Sequence, residues 1–174
     1  MKEIIVGENE ERVFDFKHEQ DSQIVIMLSG VGARVTVNET FMTNQDVKSD
    51  LKIVHAASKT FSRVNTVGVV KKGILNTANC TVTIPDGSVG CDTFVKQKFV
   101  LLDKLSRAQT FPGLEIKPSK VKAGHSSSIA PISLEQIFYL MSKGMSKREA
   151  EILIIQGLMG VSEDALKIFL GGIK

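Results

Sequence analysis

Cys80-Thr81-Val82-Thr83-Ile84, followed by Pro85-Asp86-Gly87, alternates apolar and polar side chains and then stops at a turn. A period of two puts Cys80, Val82 and Ile84 on one face and Thr81 and Thr83 on the other, the pattern of a β-strand with one buried face. The pattern recurs upstream in Ala33, Val35 and Val37, and in Leu51 and Ile53. Further strand candidates are Ile4–Val6, Val13–Phe16, Gln23–Leu28, Val67–Val70, Phe94–Leu102 and Leu114–Lys117. These segments are rich in β-branched residues and are punctuated by Gly30, Asn38, Gly73, Asn76, Gly87 and Gly90, residue types that favour turns. Short strands in this number leave a sandwich, a barrel or a β-solenoid. Two-residue hairpins would need Asn-Gly or Asp-Gly pairs, and Asp86-Gly87 is the only Asp-Gly pair. Strand centres recur at uneven steps of about ten to fifteen residues, which favours the irregular rungs of a parallel β-helix.

From Ser133 the period becomes helical. Ser133 with Gln136 reads as a capping box, and Leu134, Ile137, Phe138 and Met141 then share one apolar face. Gly144 supplies a left-handed stop. Ser146 with Glu149 reads as a second capping box, followed by Ala150, Leu153, Ile154, Gly157 and Leu158. A third short helix is predicted from Ser162 to Leu170, ending in Gly171-Gly172. The chain therefore divides into a β body, residues 1–130, and a helical appendage, residues 131–174.

The 174 residues are 43% hydrophobic and 24% charged with a net charge of +3, a composition that excludes disorder as the main state. The longest apolar runs, such as Ile24–Leu28 and Phe99–Leu102, fall far short of the roughly 20 residues of a membrane-spanning helix. The N-terminal Met-Lys-Glu-Ile-Ile-Val patch meets acidic residues at once, unlike a secretory signal, so a cytoplasmic protein is expected. Residues 1–116 carry 14 basic and 14 acidic side chains, and residues 117–174 carry 8 and 5. This small C-terminal excess has no aromatic-interleaved basic stripe, and nucleic acid is not an expected partner.

Cys80 and Cys91 are eleven apart, which fits neither a zinc nor a CxxC redox pattern. Cys80 alternates with Val82 and Ile84 and is expected in the core. Cys91 stands in Gly90-Cys91-Asp92, at a turn that can expose it. His18 lies among Lys17, Glu19, Gln20 and Asp21 and reads as solvated, while His55 ends a strand as core or rim. His125 stands in Gly124-His125-Ser126-Ser127-Ser128, which reads as a small-residue turn open to a ligand or partner. Neighbouring residues of an extended chain point apart, so these serines make no nucleophile–base pair with it. Neither the nucleophile elbow nor a phosphate-binding glycine loop is present, and no self-contained enzyme site is visible.

Leu134-Glu-Gln-Ile-Phe-Tyr-Leu-Met-Ser-Lys-Gly-Met-Ser-Lys-Arg-Glu-Ala150 closely resembles a signature of the SufB/SufD family, written approximately D-E-x-Q-L-F-Y-L-x-S-R-G-I-x-x-x-x-A. Thr110-Phe-Pro-Gly-Leu-Glu-Ile116, Val121-Lys122 and Gly124-His125 are similar to the family's T-x-P-x-L-E-I and V-K-x-x-H-G-A-T. Val54-His55-Ala-Ala-Ser-Lys-Thr-Phe-Ser62 is similar to V-H-x-A-x-x-T-x-S. The motifs occur in the family's order over residues 54–160.

The resemblance implies a scaffold subunit of the SUF iron–sulfur cluster assembly machine: a right-handed parallel β-helix with a C-terminal helical domain, without catalysis of its own. It implies docking of an ABC-type ATPase (SufC-like) on the helical hairpin, with Tyr139, Lys143, Gly144, Ser146, Lys147, Arg148 and Ala150 as candidates. It also implies pairing with a second copy or another SufB/SufD-type scaffold, a transient iron–sulfur cluster near that junction, no nucleotide bound by this chain, and apoprotein acceptors. His125 matches the SufD-type motif histidine, and imidazole suits iron as a borderline-soft ligand. Cys91 is a second cluster candidate, because such clusters prefer thiolate. Ser106 stands where SufB-type subunits carry a cysteine, and Ser126-Ser127-Ser128 replaces Gly-Ala-Thr. Typical members also have a longer N-terminal region. Two alternatives remain: an ATPase-binding paralogue that builds no cluster, and a β-helix that binds or acts on small molecules with His125 as general base.

Overall fold

Strands that alternate at a period of two each have one apolar face, and a parallel coil buries all of those faces together. In the computed structural model, which describes residues 1–170, ten strands do this: β1 (Lys2–Val6), β2 (Glu11–His18), β3 (Ser22–Leu28), β4 (Arg34–Phe41), β5 (Val47–His55), β6 (Phe61–Val70), β7 (Leu75–Ile84), β8 (Asp92–Leu101), β9 (Arg107–Ile116) and β10 (Lys122–Pro131). The odd strands form one sheet in the order β1-β3-β5-β7-β9, and the even strands form the other, β2-β4-β6-β8-β10. Every pairing is parallel. The result is a β-solenoid in which successive strands alternate between two sheets. Contacts between neighbouring rungs span 23 residues at Asn38–Asp15, 27 at Asn65–Asn38 and 31 at Ser62–Thr93, so the rungs lengthen along the coil.

Inward side chains stack in columns. Ile24, Leu51, Cys80 and Pro112 form one, and Val37, Val64, Val95 and His125 form another. Ile26, Ile53, Val64 and Val82 are fully buried between the sheets, each contributing about 1.5–3 kcal/mol of burial. A second cluster surrounds Phe41 and Phe99, whose ring centroids are 5.3 Å apart. A β-carbon at Gly68 would overlap the Phe99 ring, so β6 can pass that ring only with glycine there.

Two expectations are corrected. The stretch around His125 is the middle of β10, in register with β8 (Gly124 on Phe94, His125 on Val95), and is not a turn. Its small polar residues have little strand preference of their own, and the ladder to β8 holds them extended. His18 is buried, with Nε2 2.9 Å from Glu39 Oε1 and Nδ1 3.0 Å from Ser22 Oγ. Ser49 Oγ and Thr66 Oγ1 donate to the same carboxylate, each at 2.7 Å. Glu39 occupies an inward position between Val37 and Phe41, so burial demands partners for its charge, and three strands, β2, β5 and β6, supply them.

The helices are α1 (Leu134–Ser142), α2 (Lys147–Met159) and α3 (Glu163–Phe169). Ser146 and Glu149 form the expected reciprocal capping box. Ser133 Oγ accepts the Gln136 amide, half of the box expected there. Gly144 follows α1 with φ +94°. The expected Gly171-Gly172 stop of the third helix lies outside the described residues. Ile152, Ile155, Met159, Leu166 and Phe169 bury against Val69 of the solenoid. Lys71 is enclosed at this junction, its Nζ 3.9 Å from the Phe169 ring centroid and its pKa lowered by burial and then by Lys72. The expected apolar face of α1 is split: Ile137 is buried, whereas Leu134, Phe138 and Met141 are exposed. No described helix is long and apolar enough to cross a membrane.

Candidate functional site

Among the described residues β9 and β10 each stand last in their sheet, paired on one side only, by β7 and β8. Their inward residues therefore continue the interior columns without a further rung to cover them. His125 continues the column of Val95, Ser127 that of Gln97, and Ile129 that of Phe99, yet all three are exposed. From the facing sheet, Thr110 continues the column of Ala78, and its Oγ1 lies 2.5 Å from Ser127 Oγ across the end of the coil. Outside, Phe94 packs over Gly124. The end rung thus presents an imidazole, hydroxyls, an aliphatic side chain and two rows of free backbone groups on one surface.

Cys91 is not part of that surface. The exposed thiol expected there is corrected: Cys91 is 1% exposed, with Sγ 3.2 Å from Thr60 Oγ1 and 3.5 Å from the carbonyl oxygens of Ala57 and Ser88. It precedes β8, four residues before Val95, the register partner of His125. The two cluster candidates are therefore about 13 Å apart along the strand direction and are not brought together. Cys80 is buried in the core as expected, where burial and the Glu39 charge push its thiol up.

The His55 motif forms a buried hydrogen-bonded chain. Thr60 Oγ1 donates to the Ala57 carbonyl (3.0 Å), so it accepts from His55 Nδ1 (2.7 Å). His55 Nε2 then accepts from Ser62 (2.9 Å), and Ser62 accepts from Thr93 (2.6 Å). Burial pushes the His55 pKa down to about 4, against a smaller upward pull from Asp92. The imidazole is neutral and every polar atom is satisfied, so the chain holds neighbouring rungs together. Ser106 is also structural: its Oγ donates to Asp103 Oδ2 (2.7 Å) and accepts the Gly73 amide (3.2 Å). The Ser106 hydroxyl is the main reason the Asp103 carboxyl is held below its ordinary value.

On the helical hairpin, Tyr139, Lys143, Gly144, Ser146, Lys147 and Arg148 are exposed, and Lys143 Nζ sits 5.4 Å from the Tyr139 ring centroid. Ala150 is fully buried, so it supports the hairpin from inside and offers no contact surface. The expected apolar face of α1 is not wholly a core face: Leu134 and Phe138 are 62% and 65% exposed and extend the surface around Tyr139. Their heptad-like spacing was visible in the sequence, but not which residues would cover them.

Among the described residues no three or more His, Cys, Asp or Glu side chains are grouped to hold a metal ion. His125 alone offers one nitrogen donor, and an iron–sulfur centre needs several ligands. The end rung therefore fits a cluster only as part of a shared site.

Residues 19–158 match the family described as SUF system FeS cluster assembly, SufBD core domain. The chain is 27% identical over 147 residues to an iron–sulfur cluster assembly SufBD family protein of Mycobacterium leprae, covering 74% of this chain and 17% of that one. It is 27% identical over 135 residues to the iron–sulfur cluster assembly protein SufB of Bacillus subtilis, covering 76% of this chain and 29% of the relative. A SufBD family protein of Trieres chinensis is 28% identical over 133 residues, 75% of this chain and 27% of its own. The chain spans less than a third of the length of each of these relatives. With a matching core over most of its length and the β-solenoid in place, the chain belongs to the SufBD family of the SUF iron–sulfur cluster assembly system.

Proposed function

We propose that the chain is a non-catalytic scaffold that joins a second scaffold at its open end rung and an ABC-type ATPase at its helical hairpin. The observation that carries this reading is the uncovered rung. β10 is ten residues long and, among the described residues, pairs on one side only, so alternate residues turn their backbone groups to an open edge, and an edge of this kind is a template for another strand. A second solenoid laid against it would cover Ile129 and Ser127 and enclose His125, supplying the ligands that this chain lacks for a transient cluster. The cluster is cargo on this reading, destined for apoprotein acceptors, and the partner is a second copy or another SufB/SufD-type chain.

Docking of the ATPase is supported by the exposed Leu134, Phe138 and Tyr139 beside Lys143, Lys147 and Arg148, since aromatic anchors with a basic rim are typical of protein interfaces. The burial of Cys91 favours His125 over Cys91 as the chain's contribution to the cluster. The alternative in which the protein binds the ATPase but builds no cluster is supported by Ser106 and its purely structural bonds.

The test is anaerobic purification of the tagged protein from its native cells, with mass spectrometry of what remains bound. A stoichiometric ABC-type ATPase lost on Arg148→Glu, and a second scaffold lost on Ser126→Pro in β10, are the expected results. A protein that emerges alone, and stays monomeric on concentration in light scattering, overturns both contacts.

A further inference from the structure

A groove of about 600 Å³ runs between the outer face of the last even-numbered strands and the helical hairpin. Its sheet side carries Lys96 and Lys98 of β8, both exposed, and its helix side carries Leu153, Ile154, Gly157 and Leu158 of α2. None of the residues lining it is acidic. Neither lysine has an ion-pair partner among the described residues. One wall is thus apolar and the other bears two uncompensated positive charges.

Gly157 is the second feature. It lies inside α2, where glycine costs about 1 kcal/mol relative to alanine, and a β-carbon built there meets nothing within 4 Å. Packing against the solenoid therefore does not require this glycine. It flattens the helix wall between Leu153 and Leu158, which lets another backbone approach closely.

We propose that this groove receives an amphipathic acidic helix of a partner protein. Lys96 and Lys98 point outward two residues apart, so their stems leave the strand about 6.6 Å from each other. Carboxylates four apart on a helix have β-carbons about 5–6 Å apart, a spacing that brings one to each ammonium. The apolar side of the same helix then lies on Leu153, Ile154 and Leu158, with its backbone over Gly157, the helix-in-groove mode of recognition. The inference concerns a different surface from the ATPase contact and does not depend on it.

A displayed library of random 16-residue peptides selected on the full chain tests the proposal, with synthetic copies of the enriched peptides titrated by fluorescence anisotropy. Enriched peptides are expected to carry Glu or Asp at i and i+4 beside a leucine-rich face. Their Kd is expected to rise at least tenfold with Lys96→Glu/Lys98→Glu, and likewise with Gly157→Leu, which fills the groove and favours the helix. Copies with their acids changed to lysine should regain binding on the double charge-reversal variant, a rescue that misfolding cannot produce. Arg148→Glu should leave binding within twofold. The proposal is overturned if no peptides enrich, if the enriched ones lack the acidic spacing, or if the groove substitutions leave Kd unchanged.

Discussion

The middle rungs and the last rung obey the same stacking rule with opposite results. In the middle, an inward polar side chain is surrounded: Glu39 receives His18, Ser49 and Thr66, and His55 lies between Thr60 and Ser62. In the last rung the inward positions hold His125, Ser127 and Thr110, and among the described residues no further rung lies over them. Burial in a solenoid is therefore a property of the next rung as much as of the residue. A polar side chain in an interior column is a structural pin where the coil continues and a contact surface where it stops.

The largest effect should come from breaking a pin. Glu39→Ala removes the shared acceptor of three buried donors, and a loss of about 3–5 kcal/mol is expected from urea denaturation. A loss below about 1 kcal/mol would mean that the middle rungs tolerate unpaired polar groups and that the contrast fails.

The next effect is pH-dependent. The folded pKa of His55 is about 4, below its ordinary value of 6.5, because burial disfavours the charged ring. The unfolded chain binds this proton first as pH falls. Stability due to the neutral ring is therefore complete above pH 6.5 and is lost as pH falls from 6.5 to about 4, by about 3 kcal/mol over the window. Denaturation midpoints of wild type and His55→Gln should show this decline in the wild type and a shallower one in the variant. Parallel curves would remove His55 from the set of pins.

The smallest effect belongs to the end rung. Ser127→Ala should change stability by less than about 0.5 kcal/mol, as exposed substitutions do, despite the close Thr110 contact. A loss above 1 kcal/mol would show that the end is sealed like the middle.

The same contrast explains what could be read from the sequence. Nine of the ten strands show as apolar segments of the sequence, and β3 to β8 show most plainly because an inward face of each is buried. β10 has few Val or Ile residues, and only its register on β8 reveals that Ala123, His125, Ser127 and Ile129 are inward positions. His18 looked solvated among charged neighbours because its partner Glu39 is 21 residues away, one rung on. The clue was Glu39 itself, a carboxylate at an apolar position of its strand. Cys91 looked accessible because turns generally are, yet the Thr60 hydroxyl and the carbonyls of Ala57 and Ser88 close over it. The helical hairpin was legible from its caps, whereas the exposure of Leu134 and Phe138 depends on what lies opposite them in space.

Lys71 gives the appendage a clock. The residue is 5% exposed, and its amine has no hydrogen-bond partner among the described residues and is covered by the Phe169 ring of α3. A water-soluble acylating reagent reaches surface lysines continuously but reaches this one only while the ring is lifted. The labelling rate of Lys71, read by peptide mass spectrometry, therefore counts the openings of α3 from the solenoid. Any ligand that clamps the helices to the coil should slow that rate, and any that levers them apart should quicken it.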